Sequence, residues 1–136
     1  MDWHDSFTII GMKKKLLIID DEPSIGLILE SFFSRDYEVI IKTNGEEAMA
    51  WLQQGYFTDA IIADFEMPLM NGLEFIKQLR ASKLFKDIPL VMLSGKDESS
   101  NKILCLRNGA DDYMVKPFNP EELEIRINKM IRRIYI

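Results

Sequence analysis

Along this chain, short unbroken apolar runs alternate with stretches whose apolar residues recur at helical spacing. Leu16 to Ile19 is a continuous apolar run ending in acids, the pattern of a strand covered on both faces of a parallel sheet. From Pro23, a residue suited to the first turn of a helix, Ile25, Ile28, Leu29, Phe32 and Phe33 fall at i, i+3, i+4, i+7 and i+8, one apolar stripe. Tyr37 to Ile41 reads as a short strand, and Ala48, Trp51 and Leu52 mark a helix closed by Gly55. A third strand, Asp59 to Asp64, passes through a loop of Met67, Pro68, Asn71 and Gly72 into a helix over Leu73 to Leu79. Pro89 to Leu93 is a fourth strand, and a helix through Ile103 and Leu106 stops at Asn108 and Gly109. Asp112 to Lys116 makes a fifth strand, and Glu121 to Ile134 a final helix.

This alternation predicts an α/β fold: a flavodoxin-like, doubly wound (βα)5 domain with a five-stranded parallel sheet, strand order 2-1-3-4-5 and helices on both faces. In such sheets functional groups collect at the carboxyl ends of the strands, near the point where strand order reverses. Asp20 and Asp21 follow the first strand, Asp64 the third, Ser94 the fourth and Lys116 the fifth, so residues far apart in sequence are expected at one edge.

Carboxylates gathered in this way repel one another unless a cation or a proton offsets them. Oxygen ligands without thiol or imidazole suit Mg²⁺, which keeps several waters and accepts phosphate oxygens. Lys116 adds a compact positive charge able to pair with Asp64 at rest. A carboxylate can attack phosphorus to give an acyl phosphate; Asp64 stands alone at its strand end and is the best nucleophile, while the adjacent Asp20 and Asp21 suit metal binding. The Ser94 hydroxyl can donate to a phosphoryl oxygen. Taken singly, each residue has a plainer reading. Asp20 and Asp21 fit a helix-capping turn, Asp64 a loop acid, Lys116 a surface charge and Tyr113 ordinary strand packing.

Composition narrows the choice. A chain of 136 residues, 47% hydrophobic and 29% charged, predicts one compact core with no separate output domain. Its 22 acids against 17 bases give a net charge of -5, which argues against direct nucleic-acid binding. A lone Cys105, expected as a small buried hydrophobe, and the lack of a spanning apolar run predict a cytoplasmic protein without membrane attachment. Residues 1–12 lack the features of a secretion signal and read as an N-terminal extension to a domain over 13–136. Met12 is an alternative start, and His4 is expected to take no part in phosphoryl transfer.

Four segments resemble the receiver domain of two-component response regulators: IIDDEPS from Ile18, IIADFEMPLMNG from Ile61, VMLSG from Val91 and NGADDYMVKPF from Asn108. The resemblance runs from about Lys13 to the C-terminus. It implies a signalling switch, and not an enzyme of turnover, that catalyses its own phosphorylation and dephosphorylation. Asp64 would be the phosphoacceptor, with Mg²⁺ held by Asp20, Asp21, Asp64 and the backbone carbonyl of Glu66. Ser94 and Tyr113 would form the switch pair, Lys116 would complete the site, and the Lys116–Pro117 bond would be cis. Serine at 94, where threonine is frequent, and Phe65 and Glu66 after the acceptor depart from the commonest pattern; Glu66 and Lys96 are expected to tune water access to the acyl phosphate.

The implied partners are a sensor histidine kinase or a histidine phosphotransfer protein, and a downstream protein of unknown identity. Docking, phosphate relay and a transient homodimer of the phosphorylated form all stay open. Leu104 and Ile125 fall off the apolar stripes of their helices and, with Tyr113 between them, form a candidate partner face, against the alternative of edge packing. A haloacid-dehalogenase-type phosphatase would need a general acid that Glu66 only loosely supplies. A flavodoxin-like electron carrier would need a phosphate-cradling first loop, where Asp20, Asp21 and Glu22 would repel the phosphate. An interaction module that is never phosphorylated would have no use for the whole constellation.

Overall fold

The computed structural model describes residues 13–95 and 99–135; His4, Met12 and Lys96 lie outside them. Strand β1 (Lys14–Ile19) leads to helix α1 (Pro23–Phe33), β2 (Tyr37–Lys42) to α2 (Gly45–Gln53), and β3 (Ala60–Asp64) to α3 (Gly72–Ala81). Then come β4 (Leu90–Ser94), α4 (Ser99–Arg107), β5 (Asp112–Val115) and α5 (Pro120–Tyr135). The strands form one five-stranded sheet in the order β2-β1-β3-β4-β5, every pairing parallel, as the alternation predicts.

Side-chain alternation along the strands divides the core into two layers. Leu17, Ile19, Ile61, Ala63, Leu90 and Met92 point to the face covered by α2, α3 and α4. Leu16, Ile18, Ala60, Ile62, Val91 and Leu93 point to the other, covered by α1 and α5. Because both faces are buried, the strands read as unbroken apolar runs and not as alternating ones. Helix α5 buries Leu123, Ile127, Met130 and Ile131, which fall at i, i+4, i+7 and i+8 on one face.

Two stripes were misplaced by the apolar pattern. In α1 the buried residues are Gly26, Leu29 and Phe33, whereas Ile28 is 53% exposed. The helix is turned so that Gly26, where an added Cβ would lie 3.6 Å from Ile41, faces β2. In α4 the fully buried residue is Cys105, and Ile103 and Leu106 are exposed beside Leu104. A helix with apolar residues on several sides offers periodicity no single answer.

Helix starts are set locally. Asn44 and Asn71 cap α2 and α3, their side chains accepting from the amides of Glu47 and Glu74 at 2.8 and 2.9 Å. Pro23 opens α1 behind Glu22, which makes no side-chain cap. Asp20 accepts the Glu22 amide at 2.9 Å, so it shapes the turn ahead of α1 without capping the helix.

At the opposite end of the sheet, Arg80 of α3 ties two loops together. Its guanidinium donates to the carbonyls of Lys86, Ile88 and Gly109 and pairs with Asp111 at 3.1 Å. Asp111 also accepts the Leu90 amide at 2.8 Å, which fixes where β4 begins.

Candidate functional site

At the carboxyl edge, backbone bonds hold the strand ends in register. The Phe65 amide donates to the Leu93 carbonyl and the Lys116 amide to the Ser94 carbonyl, each at 2.7 Å. Asp64, Ser94 and Lys116 are thereby set side by side on β3, at the end of β4 and just past β5. The loop after Asp64 closes tightly, with the Gly72 amide donating to the Phe65 carbonyl at 2.9 Å. A Cβ on Gly72 would sit 2.8 Å from Phe65 Cα, so only glycine permits this approach.

Asp20 and Asp64 are buried, Asp21 is exposed, and one carboxylate oxygen from each lies within 4.8 Å of the others. Lys116 Nζ stands 3.3 Å from Asp20 Oδ2 and 3.3 Å from Asp64 Oδ1. Burial, then the neighbouring Asp20, pushes the Asp64 carboxyl up to about 6, although Lys116 pulls the other way and Glu66 adds a smaller upward push. Burial alone would lower Lys116, but the charges of Asp64 and Asp20 outweigh it and hold its ammonium above the ordinary lysine value. The cluster is thus an anionic, oxygen-only donor set with one lysine. That set fits a hard divalent ion such as Mg²⁺.

Ser94 is buried and its hydroxyl donates to Glu66 Oε1 at 3.0 Å, while the Gly95 amide donates to Glu66 Oε2 at 3.3 Å. Sequence reasoning placed Glu66 at the site through its backbone carbonyl and as a residue flanking the acceptor that tunes water access. It missed the carboxylate's grip on Ser94, which joins residues 28 positions apart and leaves no local signal. Engaged in this way, Glu66 is poorly placed to serve Asp64 as a general acid. The Lys116–Pro117 peptide bond is cis.

Tyr113 is buried in the core layer under α2, α3 and α4, in register with Met92. It therefore does not share the exposure of Leu104, at 41%, and Ile125, at 54%. Among the described residues, no helix is long and apolar enough to cross a membrane.

Residues 16–128 match the family model for the response regulator receiver domain. The alkaline phosphatase synthesis transcriptional regulatory protein PhoP of Bacillus subtilis is 43% identical over 123 residues, which are 90% of this chain and 50% of that protein. The chain thus spans about half the length of the curated relatives it matches. A putative response regulator from Chloroflexus aurantiacus superposes with a TM-score of 0.83 at 34% identity, covering 88% of this chain and 98% of that one. The receiver domain of sensor histidine kinase PA1611 from Pseudomonas aeruginosa, solved with a magnesium ion coordinated in its active site cleft, superposes at 0.79 with 25% identity, covering 88% and 98%.

Proposed function

Because the chain belongs to the response regulator receiver domain family of two-component signalling, we propose that Asp64 is its phosphoacceptor, loaded by a sensor histidine kinase or a histidine phosphotransfer protein. One observation carries this reading: the buried Asp64 carboxylate at the end of the central strand, paired with Lys116 and grouped with Asp20 and Asp21. In the transfer, an Asp64 oxygen bonds to phosphorus as the bond from phosphorus to the donor's imidazole nitrogen breaks, the electron pair leaving with the imidazole. Lys116, already facing both buried acids, balances the charge on the phosphoryl oxygens.

Asp20, Asp21, Asp64 and the Glu66 backbone carbonyl would hold Mg²⁺, which supplies further charge neutralisation for the phosphoryl oxygens. The Ser94 hydroxyl turns to the phosphoryl group, and the Tyr113 ring, in the core beside β4, senses the change. The chain catalyses both its loading and its loss of phosphate. It works in the cytoplasm, with residues 1–12 as an extension to a receiver unit of 13–136.

Incubation with acetyl phosphate and Mg²⁺, followed by intact mass, should show a phosphate adduct in the wild type and none in Asp64→Asn. An adduct of equal yield in the variant overturns the assignment. The switched surface is the face of α4, β5 and α5, where Leu104 and Ile125 are exposed. Replacing both with serine should weaken phosphorylation-dependent association roughly tenfold or more, the scale of losing buried apolar area at an interface core. Unchanged association removes this face from the output.

A further inference from the structure

The Glu66 carboxylate occupies a position that bears on how the site is switched. Its two oxygens are divided between the Ser94 hydroxyl, at 3.0 Å, and the Gly95 amide, at 3.3 Å. Ser94 is fully buried at the end of β4, whereas Glu66 is exposed on the loop leaving β3. An exposed acid has therefore reached across from one strand end to bind a buried hydroxyl on the next. A serine hydroxyl has one proton to donate, so it serves one acceptor at a time. An anionic acceptor holds it more firmly than a neutral one.

We propose that Glu66 is a resting-state latch, its carboxylate standing in for the phosphoryl group by holding the Ser94 hydroxyl and the Gly95 amide until phosphorylation of Asp64 displaces it. The inference rests on the reading of Asp64 as phosphoacceptor and names a positioning residue that opposes the switch. Asp64 and Glu66 are two residues apart, and Glu66 already acts on Asp64 as a like charge. A phosphoryl group adds about −1.5 to −2 charge at Asp64, so the same event that offers Ser94 a new acceptor also repels the old one. Exchange of one anionic acceptor for another makes the Ser94 bond itself nearly neutral in free energy. The latch thus lowers the response to phosphate below what Ser94 would give without the Glu66 carboxylate, and its release frees the loop between β3 and α3.

The test uses beryllofluoride with Mg²⁺ as the phosphoryl mimic, titrated by amide NMR on the whole chain. Glu66→Ala should lower the half-saturating beryllofluoride concentration about tenfold, the scale of one charge-assisted hydrogen bond no longer in competition. In a Ser94→Ala background the same Glu66→Ala change should give a clearly smaller gain, that of the like charge and the Gly95 amide alone, because the hydroxyl at issue is gone. In metal-free protein without beryllofluoride, the Gly95 amide should exchange with solvent faster in Glu66→Ala than in the wild type.

Equal gains in both backgrounds would show that Glu66 acts only as a repelling charge, and the latch falls. It falls as well if wild type binds the mimic and Glu66→Ala binds it no more tightly, with the Asp64 reading intact. Should the wild type bind no mimic and acquire no phosphate, the Asp64 reading fails, and the latch with it.

Discussion

Buried beside Asp20, the Asp64 carboxyl holds its proton up to about 6, against an ordinary value of 3.8. A group whose folded pKa is raised contributes stability that is complete below the unfolded value and lost as pH climbs through the folded one. Metal-free protein should therefore lose thermal stability between about pH 4 and about pH 6, and Asp64→Asn should flatten that slope. A melting profile equally steep in the variant would assign the slope to another group. With Asp64 as a proposed ligand, Mg²⁺ would compete with the same proton, so its affinity should fall as pH is lowered through about 6, measurable by calorimetry; constant affinity from about pH 5 to about pH 7.5 would contradict this. Lys116 cannot relieve the crowding alone, since one ammonium faces two buried acids.

At the scale of elements, the strands and the start of each loop were legible because parallel pairing buries both faces and leaves apolar runs that end on polar residues. Asp64 could be placed from sequence for that reason, at the last position of β3. The buried faces of α1 and α4 could not, since Leu27, Ile28 and Leu29, or Ile103, Leu104 and Leu106, satisfy several stripes at once and only the packing partner chooses. The Glu66 carboxylate and Arg80 were invisible for a different reason: their partners come from other elements. Gly72 belongs to this scale. Alanine there would drive its Cβ against Phe65 Cα and Met92 Sδ, at 2.8 and 3.0 Å, and should cost about 1–3 kcal/mol in urea unfolding. A loss below about 0.5 kcal/mol, the range of ordinary surface changes, would mean that the loop yields freely.

Across the whole molecule, the two ends of the sheet have different tasks. The carboxyl end gathers charge, while the amino end is fastened by Arg80, whose side chain is 18% exposed and whose bonds satisfy carbonyls of two loops. Arg80→Met would keep much of the packing and lose those bonds, for an expected loss of about 2–3 kcal/mol. Phosphate uptake at Asp64 should persist in the variant under conditions where it stays folded. If the adduct disappears while the fold is intact by circular dichroism, the two ends are coupled.

The strand order gives Asp64 one more property. Its strand is the middle one, with β1 and β4 to either side and helices over both faces, and its side chain is 3% exposed. As the proposed phosphoacceptor, Asp64 would be loaded by a donor histidine and cleared by water along the same route above the strand ends. Whatever narrows that route would then slow both loading and loss, so the side chains around it would set the tempo of the signal as well as its presence.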